Sequence, residues 1–285
     1  MSPIVWDALE NIESKDRKIA FDAATKLVPH PEVLKKLHQL FPGRLYVDRY
    51  QWTPETLPEV SKHGPVLAAI ARLGAPCAPI LAENLSASRL DTRFYATLLF
   101  EGISAGIALE QLRDRLFDRD SQTRAIAQRV LLAQRHLKDF DDLVTMMLRN
   151  YIITSPDELH IEVASEMLGM LHDTMSVDLL IETMDEHRNK RAHHAIYEAL
   201  QRITLQSLPP TSIAWRTWSK STKNESRKEW LLRGMNSTSD QIRVFVAEEL
   251  ATIEDKGFDY SPTNPPKVRI HQQQQMKQWF DQRTT

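Results

Sequence analysis

Three ten-residue strings in this chain look alike: DTRFYATLLF at 91–100, SQTRAIAQRV at 121–130 and DQIRVFVAEE at 240–249. Each sets a small polar residue, then an Arg two or three places on, then a small or apolar residue three places after the Arg. DRKIAFDAATKL at 16–27 fits more loosely. IEVASEMLGML at 161–171 and HAIYEALQRIT at 194–204 share the small-then-apolar half. With Ala96, Ala127, Ala164 and Ile196 taken as equivalent, the unit recurs at intervals of 31, 37 and 32 residues, and a further unit around Ala69 lies 27 residues before Ala96. A period of that length marks a supersecondary unit that hides its apolar face only against a neighbour of its own kind.

The segments between these strings carry helical periodicity. Val66, Ala69, Ile70 and Leu73 stand at i, i+3, i+4 and i+7, as do Phe140, Leu143, Val144 and Met147, and again Val177, Leu180, Ile181 and Met184. Each set is one apolar stripe on a helix. No stretch sustains a two-residue alternation, so almost no sheet is expected. Breaks such as Gly74-Ala75-Pro76 and Ser155-Pro156 are too short for anything but antiparallel neighbours. The predicted fold is therefore all-α, an α-solenoid of stacked antiparallel helix pairs. In that arrangement Ala96, Ala127 and Ala164 let helix backbones approach, while Leu99, Leu131 and Leu168 fill the layer. Asp91, Ser121 and Asp240 are expected to cap the repeat helices. The Arg that follows each is expected to pair with a carboxylate of the adjoining repeat.

The string GIALEQLRDRLFDRDSQTRAIAQRVL at 106–131 resembles the HEAT repeat in its short form, the PBS-lyase HEAT-like repeat. The likeness lies in the acidic turn Asp118-Arg119-Asp120, then Arg124 and Ala127 on the next helix. The strings at 64–85 and 165–184 are similar to the same unit, the second through Leu168-Gly169, Asp173, Val177, Leu180 and Ile181. The resemblance covers 64–204, loosens over 1–40 and 224–254, and is absent from 41–63 and 255–285. It implies an architecture and a binding role rather than a defined chemistry.

The domain reading follows. Residues 1–40 form an N-terminal helical cap. Residues 41–63 form a proline-rich insertion loop in which Phe41, Tyr46, Tyr50 and Trp52 alternate with Arg44 and Arg49, to plug a gap or touch a ligand. Residues 64–204 hold the HEAT-like repeats. Residues 205–254 hold irregular helices with Trp215, Trp218 and Trp230, then one more repeat-like helix. Residues 255–285 hold an extended segment and a capping helix that Ile270, Gln273 or Gln274, Lys277 and Phe280 mark as polar-faced, as a terminal cap with one side in water requires.

Composition narrows the function classes. Only 8 of 285 residues are Gly, and no GxGxxG or GxxxxGK[ST] string occurs, which argues against a phosphate loop or dinucleotide site. The single cysteine, Cys77, excludes an intramolecular disulfide and a multi-cysteine zinc site, and burial is its expected fate. His193 and His194 are adjacent and point apart on a helix, as do His160 and Glu162, so no metal set is read. No apolar run long enough to span a membrane is present, and the N-terminal string has no signal-peptide pattern, which makes the cytoplasm the default. Catalytic residues, cofactors and metals are all read as none.

Net charge is −2, but it is unevenly spread. Residues 137–186 hold twelve acids and two bases, and residues 187–235 hold ten bases and three acids. Such a dipolar chain can orient a charged partner. The expected function is a non-enzymatic scaffold or adaptor that binds a protein partner with an acidic segment. The candidate contacts are Arg188, Lys190, Arg191, His193, His194, Arg227 and Lys228. Two alternatives come from HEAT-like relatives: a nucleic-acid-binding protein of the DNA-glycosylase type, and a lyase of the bilin-lyase type. A pI of about 6.6 and the acidic stretch count against phosphate binding. Oligomeric state is left unassigned.

Overall fold

The computed structural model describes residues 2–28, 30–186, 189–222, 225–253 and 256–283. Among the described residues the regular structure is entirely helical, with no strand. The chain separates into two compact units, Met1–Val144 and Thr145–Thr285. The division falls inside the 64–204 stretch that the sequence presents as one array.

The first unit holds α1 (Pro3–Asn11), α2 (Arg17–Leu27), α3 (Leu34–Leu40), α4 (Pro65–Leu73), α5 (Ala78–Leu85), α6 (Leu90–Leu99), α7 (Leu109–Arg115) and α8 (Ser121–Ala133). Helices two apart in sequence pack together: α2 on α4, α4 on α6 and α6 on α8 in one row, α5 on α7 in the other. The rows meet where α5 packs on α6 and α7 on α8. Because α4 is covered from several sides, its Val66, Leu67, Ala68, Ala69 and Ile70 are all fully buried. The break between α6 and α7 is stitched by the buried amide of Gln134. It donates to the Phe100 and Ile103 carbonyls and accepts from the Ala105 N–H.

The second unit holds α9 (Met146–Thr154), α10 (Glu158–Met170), α11 (Val177–Thr183), α12 (Lys190–Thr204), α13 (Ser212–Ser221), α14 (Arg227–Gly234), α15 (Asp240–Ala251) and α16 (Pro266–Arg283). The skipping order recurs in α9–α11–α13 and from α10 to α12, whereas the next contact of that row, α12 on α15, passes over both α13 and α14. Gly169 lets α10 and α12 close up, since a Cβ there would stand 3.0 Å from Ala199 Cα. α16 turns Met276 onto a cluster of Leu231, Met235, Phe245 and Val246, with Trp279 and Phe280 packed beside it. The inward positions of α16 are thus Gln272 and Met276, and Ile270 is exposed. Register is set by Gln272, whose buried amide donates to the Asp259 carbonyl and accepts from Asn264.

The alanines at 96, 127 and 164 and the leucines at 99, 131 and 168 are buried. The caps sit elsewhere than expected. Asp120 caps α8 and Ser239 caps α15, each one residue before the residue picked from sequence, because the cap must stand in extended backbone outside the first turn. Asp91 lies inside the first turn of α6 and accepts from Arg49 instead. The repeated arginine also does something different. Arg93 donates to the Ala87 carbonyl, Arg124 to that of Asp118 and Arg243 to that of Ser237, in each case six residues back. Each guanidinium therefore closes the loop that leads into its own helix. Among the described residues Arg93 alone of the three also reaches a carboxylate further along the chain, that of Asp118 before α8. Arg243 pairs with Asp240 of its own helix.

Candidate functional site

Lys190 and Arg191 open α12, after Asn189 has capped it by accepting from the Arg191 N–H. Both side chains are exposed and neither has a partner among the described residues. No acid stands in that first turn. A helix start carries partial positive charge, so two cations there are placed against the local field, typically at a cost of about 0.3–1 kcal/mol each. His194 is exposed and faces Glu198 at 3.8 Å, and His193 is half-buried. Arg188 lies outside the described residues.

Arg227 and Lys228 do not join this group. Arg227 donates to the carbonyl of Arg202, twelve residues along α12 from Lys190, which is roughly 18 Å of helix. Its main partner is Glu249, and both are largely covered. Burial pulls the Arg227 guanidinium below its ordinary value in spite of Glu249, and burial pushes Glu249 up in spite of Arg227. Two further Arg227 nitrogens, Nε and Nη1, have no acceptor among the described residues. That pair is internal structure rather than a docking contact. Lys228 is held by Asp281 of α16 at 2.8 Å, in a groove of about 750 Å³ between α14 and α16.

The 41–63 loop is sewn down by Arg49, whose side chain is 3 % exposed. Its guanidinium donates to Asp91 at 3.0 Å, to Asp120 at 2.7 Å and to Gln122 at 2.9 Å. It also stacks on the rings of Tyr50 and Phe94, 4.2 and 4.3 Å from their centroids. Burial works against the charge, but Asp120 and Asp91 outweigh it and hold the guanidinium above its ordinary value. Phe41 is buried as a plug, whereas Tyr50 and Trp52 stay exposed. Sequence marked the loop but gave no sign of which acids Arg49 would meet.

A second feature was invisible in the sequence. A groove of about 570 Å³ in the second unit runs between α11 and α13 and ends at the start of α14. Trp215, Trp218 and Trp230 pack in series, the first pair edge-on at 79° and the second tilted at 55°, with centroids 5.9 and 5.3 Å apart. Trp218 and Trp230 line the groove, and none of the three buried indole N–H groups has an acceptor among the described residues. Trp215 is fully buried, and Trp218 and Trp230 are nine-tenths buried.

Cys77 is fully buried, and that burial pushes its thiol up to about 11. Among the described residues no three His, Cys, Asp or Glu side chains are grouped to hold a metal ion. No single described helix is long and apolar enough to cross a membrane. Compared with models of known protein families the chain matches none, and no curated protein matches it significantly.

Proposed function

We propose that this chain is a non-enzymatic scaffold of HEAT-like helix pairs, an α-solenoid, that recognises an acidic segment of a protein partner at the start of α12. Two features support the repeat architecture. Contacts between helices two apart in sequence occur in both units, from α2–α4–α6–α8 to α10–α12 and α9–α11–α13, and the arginines in the first turns of α6, α8 and α15 close their loops six residues back in the same way. The recognition rests on one observation, the pair of exposed, unpartnered cations Lys190 and Arg191 in a first turn that holds no acid. A carboxylate-bearing partner would relieve their mutual repulsion and their conflict with the helix dipole together. His194, exposed one turn on, extends the same surface.

The test is a titration of the ¹⁵N-labelled chain with a glutamate-rich dodecapeptide at low salt. Backbone shifts centred on 189–194 are expected, shrinking as salt rises. Charge reversal, Lys190→Glu with Arg191→Glu, should slow association by about tenfold or more, since rim charges act chiefly on the on-rate. A reversed variant that associates as fast as the wild type at low salt would leave this patch as solvated surface.

A further inference from the structure

We propose that His63 is an acid-sensitive latch that holds residues 53–62 as a flap over a cavity of the first unit. The flap is clamped at both ends. Gln122 donates to the Trp52 carbonyl at 2.9 Å, and the Tyr46 N–H donates to that of His63 at 2.8 Å. Between the clamps Leu57, Pro58 and Val60 cover a cavity of about 380 Å³ that Leu98, Leu99 and Ile103 also line. Arg129, paired with Glu101, secures the near edge by donating to the Pro54 carbonyl at 2.6 Å. The middle is held by His63, whose ring is fully buried and whose Nε2 stands 2.9 Å from the Pro58 carbonyl.

A carbonyl only accepts, so Nε2 carries the proton and Nδ1 is left as an acceptor. Nδ1 faces the fully buried hydroxyl of Tyr95 on α6, which donates to it at 3.2 Å. The ring is thus bonded as a neutral imidazole. A second proton would put donors on both edges, turn the Tyr95 hydroxyl away and leave a cation in the interior. No carboxylate pairs with the ring among the described residues. On α6 the charges are Asp91, bound to Arg49, and Arg93, bound to Asp118. On α4 there is only Arg72, which donates to Thr25. Arg44 on the neighbouring arm and the flap's own Glu55, Glu59 and Lys62 are exposed. Burial, against the pull of the Pro58 carbonyl, holds the imidazole below its ordinary value of 6.5. Lifting the flap restores that value. The latch is therefore at full strength above pH 6.5 and weakens below it, until the lower value of the closed state is passed.

The test is amide hydrogen exchange of the full chain from about pH 7.5 to about pH 5, each rate divided by that of an unstructured amide at the same pH. The Leu57, Lys62 and His63 amides all bond within the flap segment. Their protection is expected to fall by up to about tenfold per pH unit below 6.5, while Ile70 of α4 and Leu98 of α6 keep theirs. His63→Gln, whose amide can donate to Pro58 and accept from Tyr95 without titrating, should abolish that fall. In the wild-type chain, where no substitution can disturb folding, the His63 Hε1 resonance should titrate with a midpoint below 6.5. The proposal is overturned by flap protection that does not fall, by α4 and α6 losing protection in step with the flap, by a glutamine variant that keeps the fall, or by a ring midpoint at or above 6.5.

Discussion

At the scale of single residues, the first unit holds a few covered charges shared between helices and the loops that join them. Asp118 is the densest of them, 1 % exposed at its side chain. It accepts from Arg93 at 2.6 and 3.0 Å, from Arg115 at 2.9 Å and from the Asp120 N–H at 3.0 Å. Burial alone would raise its pKa, but the Arg93 bonds and the Asp120 N–H prevail and hold it below the usual carboxylate range. A carboxylate lower in the folded state than in the unfolded one stabilises fully above the unfolded value of 3.8. That stabilisation is lost as pH falls through the lower, folded value. Urea denaturation from about pH 5 down to about pH 2 should therefore show falling stability, and Asp118→Asn should flatten that slope. At pH 7 the same variant strands two arginines and should lose about 3 kcal/mol. An unchanged slope in the variant would show that other carboxylates govern the acid limb.

At the scale of elements, the helices were legible because an apolar stripe at helical spacing has few other uses. The ends were less so. Asp120 and Ser121 adjoin, both suit a cap, and only the backbone decides that Asp120 accepts from the Thr123 N–H. Asp120→Ala should accordingly cost at least about 1–2 kcal/mol, more than a lone cap because it also holds Arg49. Ser121→Ala should stay within about 0.5 kcal/mol. Equal losses by thermal denaturation would return the cap to Ser121. The same limit applies to the sites. Lys190 and Arg191 are neighbours and were found together. Arg227 has the right charge in the right stretch, yet its partner Glu249 lies on another helix. The groove draws on α11, α13 and α14, and Arg49 meets acids 42 and 71 residues away. No local pattern encodes such meetings.

At the scale of the molecule, the chain divides into two compact units, and damage placed in one is expected to stay there. Four of the six tryptophans, at 215, 218, 230 and 279, belong to Thr145–Thr285. Their fluorescence weights that unit, whereas far-ultraviolet dichroism reads all helices. Arg49→Ala removes a buried partner of two acids in Met1–Val144 and should cost that unit about 3–5 kcal/mol. In urea the dichroism curve should broaden and shift early, while the fluorescence midpoint stays near its wild-type value. Two curves that shift together would mean that the chain unfolds as one cooperative body.

The skipping order in which α4 meets α6 and α6 meets α8 also bears on how the chain is made. Row neighbours start within 25 to 50 residues of one another, from α4 and α6 to α12 and α15, a length that a ribosome delivers in about 1–10 s at 5–20 residues per second. Helices form in about a microsecond or less, so structure outruns synthesis by a wide margin. Each emerging pair can dock on the one before it, without waiting for a distant strand or the far terminus. The nascent chain then exposes one unfinished apolar face at its growing end, rather than a length of unfolded polypeptide for chaperones to guard.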